Sequence, residues 1–135
     1  MTDSHGNVFE YDYRGVLVST QESNKIWTQC ISIEISTHQM KDKSTPWCDR
    51  WDRMLNKLIK MPQWGAENYH QHENNCYSFV ITFLRSLQVE ELNESLSSKT
   101  QFCKDYIVPK TRNAAKYIAL YRKISRDGVT VISKP

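Results

Sequence analysis

Residues 69–87, which read YHQHENNCYSFVITFLRSL, decide the fold. The segment begins polar and changes abruptly into an apolar run, in which four residues recur at spacings of four, three and four: Cys76, Val80, Phe83 and Leu87. This periodicity predicts an amphipathic helix. Asn74 or Asn75 stands just before the run, where an asparagine side chain can accept hydrogen bonds from the first-turn amides and cap the helix.

The predicted helix start gives Cys76 its chemical interest. A thiol in the first turn lies at the positive end of the helix dipole, which favours the thiolate. Cys76 is therefore a candidate catalytic nucleophile, with Asn75 next to it in the candidate site. The alternative is that Cys76 packs in the core as a small hydrophobic residue, because cysteine is among the most buried residue types. The sequence leaves both interpretations open.

The composition is typical of one globular domain over residues 1–135, with 39% hydrophobic and 24% charged residues. No apolar run approaches the roughly 18–20 residues of a membrane span, and the polar N-terminus lacks a signal-peptide core. We therefore expect a cytoplasmic or nuclear location, where the four separated cysteines are free thiols. No cofactor and no metal site is indicated, because His70-x-His72 followed by Cys76 matches no standard zinc spacing.

The order of the predicted elements indicates an α+β domain, with an antiparallel sheet packed with helices. Thr45 as N-cap and Pro46 at the first helical position open a helix that ends before Pro62. Ser98 and Gln101 have the spacing of a capping box, and Val108-Pro109 is expected to interrupt the following helix. Strands are predicted at residues 8–11, 16–18, 27–35 and 129–132, and helices at 46–61, 76–88, 98–106 and 111–125.

The last predicted helix has two different sides. We expect its apolar stripe of Ala114, Tyr117, Ile118 and Tyr121 to be buried. Five basic residues project away from this stripe and form the candidate binding surface: Arg112, Lys116, Arg122, Lys123 and Arg126. An acidic protein or a phosphate-bearing partner fits this charge, whereas nucleic acid is disfavoured because the tyrosines are expected to be buried. The alternative is an ordinary solvated face.

Several segments resemble the makorin-2 opposite-strand protein family over nearly the whole chain. They are Trp27 with Ile31-Ser32-Ile33, Trp51-Asp52, Asn75-Cys76-Tyr77-Ser78 with Thr82-Phe83, and a C-terminal cassette of Tyr106, Val108-Pro109, Thr111-Arg112, Ala115-Lys116, Ile118, Leu120-Tyr121-Arg122 and Ile124. The family pattern is itself similar to the permuted papain-like layout of lecithin-retinol acyltransferase-like enzymes. This similarity implies that Cys76 occupies the nucleophile position. It also implies that the partner histidine lies upstream of Met1 and that the first strand is truncated.

Two functions follow from these observations. The prediction is an intracellular, non-catalytic interaction module of the makorin-2 opposite-strand family. The alternative is a cysteine-dependent hydrolase or acyltransferase that uses Cys76 with a histidine missing from this chain. We expect none of the four histidines to reach the Cys76 sulfur, because each lies in a predicted turn or loop: His5, His38, His70 and His72.

Overall fold

The computed structural model describes residues 1–20, 33 and 46–128. These residues form the predicted α+β arrangement, with a two-stranded antiparallel sheet and four α-helices. The strand predicted at 27–35 (apart from Ile33), the strand at 129–132, the Thr45 cap and His38 lie outside the described residues. The described elements are β1 Val8–Asp12, β2 Gly15–Ser19, α1 Trp47–Leu58, α2 Cys76–Ser86, α3 Lys99–Phe102 and α4 Val108–Asp127.

The hairpin of β1 and β2 packs one of its two faces against the helices. Phe9 and Tyr11 are buried on that face of β1, as period-two alternation requires. Gly15 closes the turn with a φ of +93°, and a Cβ at this position would lie 3.3 Å from the backbone nitrogen of Ala66. The left-handed backbone therefore favours glycine, and the segment at Ala66 leaves little room for a side chain at this position.

The core forms where the hairpin, α1 and α2 meet. Tyr11 packs edge-on against Trp64, with ring centroids 5.1 Å apart, and Trp64 packs edge-on against Phe79 at the same distance. Helix α1 contributes Leu55 and Leu58 to this core. The remaining buried hydrophobic residues are Phe9, Ile81, Phe83, Leu84, Leu87, Val89, Leu92, Leu96 and Phe102.

The helix starts differ slightly from the predicted ones. Helix α1 begins at Trp47 with Pro46 as the N-cap residue, not as the first helical residue, and no side chain caps it within the described part of the chain. Helix α3 begins as predicted after Ser98, whose Oγ accepts a hydrogen bond of 3.1 Å from the Gln101 amide.

The predicted interruption at Val108-Pro109 is wrong. Helix α3 continues through one π-helical stretch, Cys103–Ile107, directly into α4. Pro109 lies in the first turn of α4, directly after the π-helical stretch, and has no N–H to donate to the preceding turn. The wider π-helical turn lies directly before the proline, and the helix continues beyond the proline without a break.

The predicted burial of the α4 stripe is also wrong. Every residue from Val108 to Gly128 is exposed. Tyr117 and Tyr121 are 73% and 72% exposed, and Ile118 is 52% exposed. The periodicity correctly indicated an amphipathic helix, but periodicity does not say what covers the apolar side. The reason given for disfavouring nucleic acid, buried tyrosines, is wrong as well.

Candidate functional site

The loop before α2 holds the Cys76 backbone in place. Asn75 is the N-cap of α2, and its Oδ1 accepts hydrogen bonds from the amides of Tyr77 (3.1 Å) and Ser78 (3.2 Å). Its Nδ2 donates to the Gln71 carbonyl at 2.6 Å. The side chain of this buried residue is therefore occupied in building the helix start.

The same loop is tied to distant segments. Asn74 donates from Nδ2 to the carbonyls of Gln63 and Asn68, both at 2.9 Å. Lys99 at the start of α3 donates from Nζ to the carbonyls of His72 and Glu73. Sequence reasoning missed Lys99, since nothing in its local pattern indicates a contact 26 residues away.

Cys76 is exposed, so the interpretation as a buried core residue is wrong. Its amide is not used by the cap, because the Asn75 carbonyl binds the Phe79 amide and the Asn75 side chain binds the next two amides. The thiol lies at a cavity of about 430 Å³. The cavity lining is apolar or aromatic throughout and comprises Met1, Ile33, Trp51, Cys76, Tyr77, Val80, Leu84, Phe102 and Ile107.

No local signal in the sequence could have found this cavity. Its lining comes from the N-terminus, from α1, from α2 and from the junction between α3 and α4, which only the tertiary fold brings together. Burial, and to a lesser degree the neighbouring thiols of Cys103 and Cys76, raise the pKa of Tyr77 above its ordinary value.

The described histidines make local contacts. His5 is exposed in the first turn of the chain, as expected. His70 accepts the Glu73 amide at Nδ1 (3.2 Å), and His72 Nε2 lies 3.0 Å from Gln71 Nε2. Within residues 1–20 and 46–128, no imidazole forms a hydrogen bond with Cys76. The wider expectation that no histidine reaches Cys76 stays a prediction, because His38 lies outside this part.

Helix α4 brings the predicted basic residues together on one exposed element. At about 100° per residue, they fall within an arc of roughly 120°. Arg126 pairs with Asp127, with Nε 2.7 Å from Oδ1. Six basic residues against Asp127 give the helix a net charge of +5. The five predicted binding residues are Arg112, Lys116, Arg122, Lys123 and Arg126.

The described residues contain neither a metal-ligand cluster nor a membrane-spanning helix. Among them, no three His, Cys, Asp or Glu side chains come together as a metal site would require. The helices of the same part of the chain are too short or too polar to cross a membrane.

Comparison with known proteins identifies the family. Residues 1–124 match the family described as DUF4796 C-terminal. The chain is 31% identical over 135 residues to the MKRN2 opposite strand protein of Homo sapiens, and it spans 56% of that relative's length. No solved structure matches, and the permuted papain-like architecture stays a prediction. The family match covers most of the chain and agrees with the resemblance found in the sequence, so the chain belongs to the DUF4796 C-terminal family.

Proposed function

We propose that this chain is a non-catalytic interaction module whose binding element is α4. One observation carries the proposal: a helix of 20 residues is exposed along its whole length, although it has both an apolar and a basic side. Monomeric domains rarely leave a continuous apolar surface uncovered unless it binds something. The helix also carries six of the 18 lysine and arginine residues and only one acidic residue, and this excess of positive charge favours an acidic or phosphate-bearing partner.

Charge reversal tests the proposal. We expect the triple variant Arg112→Glu, Lys116→Glu and Lys123→Glu to lose at least about tenfold in affinity for polyglutamate or inorganic polyphosphate, because both bind through positive charge. Fluorescence anisotropy with labelled polyanion measures this.

A matched control distinguishes an effect of the α4 surface from an effect of the total charge of the chain. Arg53, Lys57 and Lys60 are exposed on and just after α1, and their reversal changes the total charge equally. We expect the control variant to retain most of the affinity. Equal losses in the two triple variants would refute α4 as the binding element.

The second candidate function is a cysteine-dependent hydrolase or acyltransferase. The observation that favours it is the exposed Cys76 thiol at the head of α2, beside an apolar cavity of about 430 Å³ that could hold an acyl chain. The Cys76 amide, which the cap does not use, could stabilise an oxyanion. What this function still requires is a base within about 2.6–3.2 Å of the nucleophile. The reactivity of Cys76 in the presence and absence of each histidine distinguishes the two functions.

A further inference from the structure

The apolar side of α4 is wide. At about 100° per residue, its large side chains span roughly 160° of the helix circumference. These side chains, which are between 41% and 73% exposed, form the apolar face of α4: Tyr117, Ile118, Leu120, Tyr121 and Ile124. A single partner helix covers only a narrow seam of two positions per heptad, so it would leave much of this face in water.

Five of the six basic residues lie opposite the apolar face, whereas Lys110, in the first turn of α4, lies on the same side as Tyr117 and Tyr121. Lys116 and Arg122 stand at its two edges, each about 40° from the nearest apolar side chain. The other three, Arg112, Lys123 and Arg126, point away from it. A protein groove that receives the apolar face cannot place acidic side chains within the roughly 4 Å that an ion pair needs from these three.

A charged surface acts differently from a groove. Its field reaches about one Debye length, roughly 8–10 Å at physiological salt. This distance is close to the diameter of a helix, about 10–12 Å. The surface therefore still attracts the lysine and arginine side chains on the far side of α4. Wide apolar faces combined with Lys- and Arg-rich polar faces are typical of helices that lie in the interface of anionic membranes.

We propose that α4 binds an anionic phospholipid surface, lying in the plane of the interface with its apolar face in the boundary between headgroups and acyl chains. Lys116 and Arg122 extend from the edges of this face to lipid phosphates, and the remaining basic side chains of α4 add to the electrostatic attraction. The tyrosines suit this depth, because their rings are apolar and their hydroxyls reach water. This inference rests on the proposed function and names the partner of the same helix.

Vesicle co-sedimentation of the full chain tests the inference. We expect binding to phosphatidylcholine vesicles that contain about a quarter phosphatidylserine, and at least tenfold weaker binding to pure phosphatidylcholine. Reversal of Arg112, Lys116 and Lys123 to Glu should weaken binding to the anionic vesicles by about 100-fold or more, because each basic residue contributes about a factor of five in affinity.

A pair of matched variants tests the apolar contribution. Tyr117→Ser with Ile118→Ser should weaken binding to the anionic vesicles by about tenfold or more. Tyr13→Ser with Val18→Ser removes side chains of nearly equal exposure, 71% and 55%, from the hairpin and should leave binding within about twofold. Circular dichroism should show that both variants keep their helix content.

Three outcomes overturn the inference: no binding to the anionic vesicles, equal binding to neutral vesicles, or equal losses in the two double variants. If the chain fails on vesicles but still binds polyglutamate through α4, the partner is an acidic protein. In that case the proposed function stands and the lipid inference alone is wrong. If the α4 charge reversal has no specific effect on any anion, both fail.

Discussion

At the scale of single residues, two exposed cysteines stand in the first turn of a helix but have different neighbours. Cys76 is the first residue of α2, and Cys48 is the second residue of α1. The Cys48 sulfur lies 3.7 Å from Asp49 Oδ1, close enough for the thiol to donate a hydrogen bond to the carboxylate. Both thiols lie at the N-terminus of a helix, so the contact with the Asp49 carboxylate is the difference between their surroundings.

We predict that Cys76 reacts with iodoacetamide faster than Cys48 at neutral pH, because the Cys48 thiol is engaged in a hydrogen bond to the Asp49 carboxylate and Cys76 has no such partner among the described residues. Half-buried Cys103 should react more slowly than Cys76 because it is less accessible. Alkylation followed by peptide mass spectrometry gives the rate for each cysteine.

The same measurement distinguishes the two candidate functions. A non-catalytic Cys76 should react at the same rate, within about twofold, in His38→Ala, His70→Ala and His72→Ala variants. A loss of about tenfold or more in one of them would instead identify a base and support the enzyme. Faster reaction of Cys48 would contradict the argument from the carboxylate.

At the scale of elements, α2 and α4 show what periodicity can and cannot predict. Both were predicted as amphipathic helices, and both are helical. The α2 stripe is buried at Phe83 and Leu87, whereas the α4 stripe is exposed at Tyr117 and Tyr121. The spacing of apolar residues indicates a face, but the position of the helix relative to the core decides whether that face is covered.

We predict a corresponding contrast in stability. Leu84→Ala should lower the free energy of unfolding by about 2–5 kcal/mol, because Leu84 is 4% exposed and its loss leaves a cavity. Ile118→Ala should change it by no more than about 0.5 kcal/mol, because Ile118 is half exposed and alanine is the better helix former. Urea unfolding followed by circular dichroism measures both values. A large loss at Ile118 would mean that α4 packs on the domain in solution.

The candidate site shows the same division between local and tertiary information. The cap by Asn75 could be predicted, because capping depends on residues within one turn. The contact of Lys99 with the loop and the apolar cavity beside Cys76 could not, because their partners are far apart in sequence. The predicted break at Pro109 failed because nothing in the local pattern indicated the π-helical stretch directly before the proline, through which the helix continues.

At the scale of the whole molecule, the hairpin and the helices are joined by polar contacts as well as by the core. The Tyr11 hydroxyl donates to the Gly65 carbonyl at 3.2 Å and accepts from Asn74 Nδ2 at 3.3 Å. Trp51 on α1 donates from Nε1 to the Thr2 carbonyl at 2.7 Å. These contacts connect residues that are 49 to 63 positions apart, so the hairpin, α1 and the loop before α2 should unfold together.

We predict that Tyr11→Phe lowers the free energy of unfolding by about 1 kcal/mol, because the ring packing remains and only the hydroxyl hydrogen bonds are lost. The transition should stay single, with the same midpoint for near-UV circular dichroism, which reports on packed aromatic rings, and tryptophan fluorescence, since Trp64 lies against Tyr11 at the junction. The control is Tyr13→Phe, which removes a hydroxyl from a tyrosine that is 71% exposed and should cost less than about 0.5 kcal/mol. Two separated transitions, in either variant or in the unmodified chain, would show that the hairpin and the helices do not form one cooperative domain.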